Sequence, residues 1–276
     1  YHCRSCGAGG GLKLAHAVRG GRFSELLDDI ESLVGSVRPA SSPGLAGPSL
    51  ERMKRLCHQT WTEAKPVVIG DEVDRYLRGR GIDQGAYPRT LRFHPALGYY
   101  EKQPGQKRSK LIASYAAMVA CVQGPDGHAV TLHRTYLKEG RKALGDQSKK
   151  LLSAGINGAA VRLDEATDEL ALTEGIETAL AVRLRTGKPT WAAINCGNLE
   201  RIWIPEQVQR VCIYADNDSD AEFAGQASAY ILAQRLVREA KKAGVPRTVE
   251  VFVPRQAGTD WADIWLASLA KDKRAA

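Results

Sequence analysis

Residues 212–220 read CIYADNDSD, in which an apolar run from Val211 to Ala215 enters Asp216, Asp218 and Asp220, three carboxylates at every second position. Like charges this close repel and raise one another's pKa, unless a cation holds them or water surrounds them. The stretch is therefore either a metal site or a solvated turn. Side chains two apart on an extended chain point the same way, so Asp216 and Asp218 can share one ion. Glu174 closes the apolar run ELALTEG, and Asp260 and Asp263 stand in GTDWADI. Oxygen ligands at this density suit Mg²⁺, which takes one or two carboxylates, several waters and substrate phosphates. A calcium-binding EF-hand loop agrees with DNDSD over five positions, but it requires a glycine where Ala221 stands and a glutamate where Ala227 stands. At the other end of the chain, Cys3 and Cys6 in YHCRSCGAG have the spacing of half a tetrahedral Zn²⁺ site. His2 or His16 are the nearby residues able to complete it.

These groups need elements to position them. From Glu169 the pattern alternates. ELALTEG reads as a strand, IETALAVRLRTG as a helix closing at Gly187, and TWAAIN and RVCIYAD as strands. GQASAYILAQRLVREAKKAG then reads as a long helix with Gly244 as its cap, TVEVFVP as a strand and WADIWLASLA as a helix. Alternating strands and helices of these lengths imply a parallel sheet with helices on both faces, whose ligands bind beyond the carboxyl ends of the strands. Glu174, Asp216, Asp218 and the Asp260–Asp263 segment all fall at that end. Upstream, YAAMVACV and HAVTLHRTYL flank QGPDG and predict a β-hairpin. GAAVRL is a short strand, residues 50–80 are helical and polar, and EKQPGQKRSK (101–110) is a basic loop. RPASSPGLAGPS (38–49) carries three prolines and two glycines without periodicity and reads as a linker.

The chain has 276 residues, 43% apolar and 25% charged, within the range of folded globular proteins. No apolar run approaches the roughly 18 residues of a membrane span, so no membrane partner is expected. Six cysteines occur, and only Cys3 and Cys6 cluster. Reduced cysteines within apolar runs (Cys121, Cys212) argue for a cytoplasmic protein and against a disulfide framework. The opening in mid-motif, without Met, suggests a fragment truncated at its N-terminus. The net charge of +8 is uneven. Residues 1–150 hold 24 Lys+Arg against 14 Asp+Glu, and the remainder holds 15 against 17. The basic half suits a polyanion, and the acidic half concentrates carboxylates where cations bind.

A strand-ending Glu-Gly, a strand-ending D-x-D and a later D-x-x-D in one alternating frame resemble the Toprim domain, the catalytic module of bacterial-type DNA primases, type IA and II topoisomerases and some nucleases. LALTEGIETAL is similar to its glutamate motif, VCIYADND to its D-x-D motif and GTDWADIWL to the acidic stretch that follows in primases. The resemblance implies Glu174 as the catalytic glutamate and Asp216 and Asp218 as the metal-binding pair, with Mg²⁺ or Mn²⁺ as cofactor. Two departures stand out. Thr178 occupies the place of a primase aspartate, with Glu177 beside it, and the glycine that follows the D-x-D comes late, as Gly225, after the insertion SDAE. YHCRSCGAG resembles the second knuckle of a primase zinc ribbon, which implies Zn²⁺ in the complete ribbon. YLRGRGI (76–82) resembles an element of phage, plasmid and mobile-element primases. The hairpin with TLHRTYL and the connector RKALGDQSKK resemble the basic subdomain that holds template and nucleotide. That implicates Arg134, Arg141 and Lys142, with Lys149 and Lys150 as weaker candidates, and places Arg134 in the same cleft as Glu174. His133 reads as structural. Topoisomerases additionally need a tyrosine nucleophile on a separate domain.

The expected fold is thus α/β: a zinc-ribbon half with a helix (1–37), the linker (38–49), a basic α+β subdomain (50–167) and a Toprim domain (168–270). The expected activity is DNA primase, a nucleotidyltransferase making short RNA primers in DNA replication. Its partners are single-stranded DNA, ribonucleoside triphosphates and a replicative helicase. A Toprim nuclease or a non-catalytic replication accessory is the alternative.

Overall fold

The computed structural model of the chain describes residues 2–3, 7–8, 15–16, 18–36, 50–101, 105–106, 109–152 and 156–275. It divides into two compact units, residues 1–47 and 48–276. In the first, β1 (His2–Cys3) pairs antiparallel with β2 (Gly7–Ala8), and a helix α1 spans Phe23–Ser36. Cys6 and the expected linker 38–49 lie outside the described residues, as do 102–104 and 107–108 of the expected basic loop.

The second unit opens with α2 (Leu50–Glu63), β3 (Lys65–Pro66) and α3 (Glu72–Gly79). An antiparallel sheet follows from β4 (Leu91–Glu101), β5 (Lys110–Gln123), β6 (Ala129–Lys138), β7 (Arg141–Lys142) and β8 (Lys149–Leu151). Its order is β3-β4-β5-β6-β7, with β8 also paired to β6. The predicted hairpin is β5–β6. Nothing in the apolar periodicity announces β4, because Pro95 interrupts it. The structure accommodates the proline by a register shift between His94 and Leu97, where a missing ladder donor does no harm.

The remaining elements are β9 (Val161–Arg162), β10 (Glu169–Thr173), α4 (Ile176–Thr186), β11 (Thr190–Ala192), α5 (Cys196–Leu199), β12 (Arg210–Tyr214), α6 (Ala224–Ala243), β13 (Thr248–Phe252) and α7 (Trp261–Ala275). They build a sheet of order β13-β12-β10-β11-β9, parallel except for the edge strand β9. Strand alternation divides the core. Leu170, Leu172, Val211 and Ile213 meet Ala229, Leu232 and Leu236 of α6 on one face, while Ala171, Cys212 and Tyr214 meet Val182 and Trp261 on the other. Burying each α6 leucine contributes about 2 kcal/mol. Gly187 and Gly244 close α4 and α6 in left-handed conformation, as their places in the sequence predict.

The two sheets share one core. Leu91, Met118, Val122 and Leu137 of the antiparallel sheet pack with Ile176, Ala179 and Leu180 of α4 and with Tyr76 and Leu77 of α3. Among the described residues, no helix is long and apolar enough to cross a membrane.

Candidate active site

Glu174 follows β10 directly, and Asp216 and Asp218 lie just beyond β12, so the adjacent parallel strands deliver all three to one edge. Between the aspartates, Asn217 turns the other way. Its Nδ2 donates to Pro254 O (2.8 Å), its Oδ1 accepts from Gln226 Nε2 (2.8 Å), and its backbone bridges Thr259. That pins the 254–259 loop and leaves Asp216 and Asp218 on the opposite side. Sequence reading passed over Asn217 and Gln226, since neither type signals chemistry.

The late glycine has a structural reason. Gly225 N donates to Asp218 Oδ2 (2.8 Å), and a Cβ on Gly225 would stand 2.8 Å from that oxygen and 2.9 Å from Asp216 O. The insertion bulges outward, with Glu222 and Phe223 at φ of 62° and 59°, and returns the chain to the D-x-D at Gly225. Asp220, in the insertion, is exposed and lies against Gly258.

Asp216 is held far from the ordinary carboxylate range. Burial, then the charges of Asp260, Glu174 and Asp218, push its pKa up to about 7. Its Oδ1 is buried without a hydrogen-bond partner. Burial also raises Glu174, against a hydrogen bond that the Cys196 thiol donates to Glu174 Oε2 (2.7 Å). Asp260 joins the cluster electrostatically and accepts from Thr178 Oγ1 (3.3 Å); at the start of α7 the backbone N–H of Asp260 and that of Asp263 each donate to the other's carboxylate, and Asp263 lies 3.8 Å from Arg80.

The donor set is oxygen only, and an orphaned buried carboxylate oxygen among three other acids is a position a hard cation fits. Among the described residues, no three His, Cys, Asp or Glu side chains already converge to ligating distance. Asp218 Oδ2 and Glu174 Oε2 are instead held by protein donors, each leaving a second oxygen. Only the backbone of Cys3 is described, and Cys6 lies outside the described residues.

The basic residues separate by strand parity. His133, Thr135 and Leu137 of β6 face α4, and Lys149, paired with Thr135, shares that face. Lys149 Nζ bonds Glu177 Oε2 (2.9 Å), and Tyr76 of YLRGRGI donates to Glu177 Oε1 (2.7 Å). Burial alone would raise Glu177, but Lys149 and Tyr76 hold it down at about 2. The charge of Lys149 also acts on Glu174 and Asp216, which puts a cation beside the cluster. Arg134 faces the other way, contrary to the expectation that it shares the cleft of Glu174. Its guanidinium donates to Tyr136 Oη (3.1 Å) and Leu151 O (3.0 Å), and Lys150, on the same face, lies over the Tyr99 ring (3.6 Å). Residues 134 and 149 have opposite parity in the β6–β8 ladder, so no side-chain rotation brings them together. Lys142 pairs with Leu137 and shares the face of Lys149, whereas exposed Arg141 pairs with Lys138 and so, contrary to expectation, lies on the face of Arg134. His133 is buried, and burial followed by the Lys149 charge lowers its pKa to about 4, in keeping with a structural role.

Residues 169–271 match the family model of the Toprim domain, and residues 51–163 match a domain of unknown function (DUF7146). No curated protein matches the chain by sequence. Among solved structures, the DnaG primase catalytic domain bound to ssDNA is similar at 12% identity and a TM-score of 0.51, over 82% of this chain and 79% of that one. A DNA primase domain from Pseudomonas aeruginosa gives 12% identity and a TM-score of 0.49, over 80% and 76%. The zinc-binding and RNA polymerase domains of the Aquifex aeolicus primase give 15% and 0.48, over 98% and 71%. At such identities the likeness is one of fold. With its strand order, its glutamate after β10 and its D-x-D after β12, the segment 169–271 is a Toprim domain, set in a chain with the fold of a primase catalytic core.

Proposed function

We propose that this protein is the catalytic core of a mobile-element type DNA primase, a cytoplasmic nucleotidyltransferase that joins ribonucleotides into short RNA primers on single-stranded DNA. The observation that carries the reading is the carboxylate edge itself, with Asp216 Oδ1 buried and unpartnered among Glu174, Asp218 and Asp260 and with Lys149 acting on it from the basic sheet. The DnaG domain of similar fold was solved bound to ssDNA, which supports the same template class here.

Asp216, Asp218 and Glu174 would hold Mg²⁺ or Mn²⁺, which when bound neutralises charge on the α-phosphate and on departing pyrophosphate. The 3′-hydroxyl oxygen attacks the α-phosphorus in line as its proton passes to solvent water, a P–O bond forms, and the bond to the pyrophosphate oxygen breaks. Glu174 either holds the ion or positions the hydroxyl. Lys149 and Lys142, on the face of the sheet that meets Glu177, contact phosphates, which gives salt-dependent binding with little base readout, whereas Arg141 shares the face of Arg134 and is not assigned to that track. Arg134 is assigned to holding β8 against Tyr136 rather than to the nucleotide. Zn²⁺ belongs to a ribbon containing Cys3 and Cys6, and a replicative helicase is the expected partner.

Incubation with single-stranded DNA, Mg²⁺ and labelled ribonucleoside triphosphates tests the reading. Short RNA products are expected. Degraded DNA would make the protein a nuclease using the same carboxylates, and neither product would leave it a nucleic-acid-binding accessory.

A further inference from the structure

Cys196 is not part of any motif considered above, yet it touches the proposed catalytic glutamate. Its Sγ–H donates to Glu174 Oε2 at 2.7 Å, and the Ser228 hydroxyl of α6 lies beside the sulfur while donating to Glu200 Oε1 (3.0 Å). The turn that presents Cys196 is held from several directions. Ile194 N donates to Glu174 O (2.8 Å), with Ile194 at a φ of 79°. A β-branched residue adopts that conformation only where its surroundings impose it. Asn195 Oδ1 then caps Asn198 N (2.9 Å), and the buried Asn198 side chain donates to Ala159 O and Ala193 O (2.7 Å each). Strained backbone and buried hydrogen bonds thus converge on placing one thiol against one carboxylate oxygen. A thiol is a weak donor, so it can orient a carboxylate without competing strongly for its charge.

We infer that Cys196 is a positioning residue for Glu174: its thiol fixes Oε2, which keeps the carboxylate in one rotamer and reserves the second oxygen for the ion or the attacking hydroxyl. This rests on the proposed metal-dependent role of Glu174. Carboxylates that ligate ions are themselves held by hydrogen bonds, and loss of such a partner typically costs about 10- to 100-fold in affinity or rate. Packing alone would not require a donor at this position, and the two roles separate by substitution, since alanine removes the donor and serine retains one.

The test compares the full chain with Cys196→Ala and Cys196→Ser in three measurements: Mn²⁺ binding by titration calorimetry, Tm without metal, and kcat and KM for nucleotide incorporation. Cys196→Ala should weaken Mn²⁺ binding or lower kcat by about 10-fold or more, with KM and metal-free Tm nearly unchanged. Cys196→Ser should recover most of the loss. Wild-type Mn²⁺ affinity and kcat in Cys196→Ala would overturn the inference while leaving the metal site standing. A serine variant as impaired as alanine, with Tm lowered in both, would show a packing role and overturn it too. Absence of Mn²⁺ binding by the unsubstituted protein would overturn the metal reading itself, and this inference with it.

Discussion

Asp216 and Glu177 both feel the charge of Lys149, yet their pKa values move in opposite directions, which divides their work. Asp216 is raised by burial and by three neighbouring acids, a repulsion that a divalent cation relieves. Asp216→Asn should therefore fold, lose Mn²⁺ binding and nucleotide incorporation, and melt at a higher temperature than wild type in EDTA, as calorimetry would show. An equal or lower Tm in EDTA would argue against repulsion at this site. Glu177 is instead ionised and paired. A carboxylate whose folded pKa lies below its unfolded value contributes stability that is present above the unfolded pKa and is lost as pH falls through the folded one. The Glu177 contribution should thus fade between the ordinary glutamate range and about pH 2. Glu177→Gln, which leaves Lys149 without its charge partner, should cost about 3 kcal/mol near neutral pH. In denaturant titrations, the gap from wild type should narrow as the pH is lowered across that window.

At the scale of elements, the carboxylate edge depends on how α6 begins. The helix packs its first turn against the D-x-D through Gly225, where no Cβ fits beside Asp218 Oδ2 and Asp216 O. Alanine is a better helix former than glycine, so Gly225→Ala gains propensity while displacing the aspartates. We expect Mn²⁺ affinity and primer synthesis to fall by at least about 10-fold, with a smaller effect on Tm. Titration calorimetry and thermal melts on the same sample separate the two, and unchanged Mn²⁺ affinity would count against the packing argument.

The residues from 50 to 275 behave as one body because YLRGRGI docks on the Toprim domain. Tyr76 reaches Glu177, and Trp265 Nε1 of α7 donates to Gly81 O (2.8 Å). Gly81 has a φ of 75°, and a Cβ there would stand 2.8 Å from Leu269 Cδ1. Gly81→Ala should therefore cost about 1–3 kcal/mol from backbone strain, and it should lower a single unfolding transition shared by both sheets. Circular dichroism and a tryptophan signal should report the same midpoint. Separate midpoints would mean that the shared core does not couple the sheets.

The alternation of strands and helices after Glu169, the glycine caps and the carboxylates at strand ends were legible in the sequence. Each depends on local periodicity or on a residue's own backbone preference. Strand β4 was not legible, because its proline is tolerated only through a register shift set by its partner β5. Tertiary structure alone decided which cation meets the carboxylates. Lys149 and Lys150 are adjacent in sequence and look equivalent there, and both rank below Arg134 on the strand beside them. The pairing register of β8 on β6 turns Lys149 toward Glu177 and sends Lys150 and Arg134 to the far face. Pleating gives neighbouring residues opposite faces, but the face that meets the acids depends on which sheet packs against α4, and that is a long-range outcome of core burial.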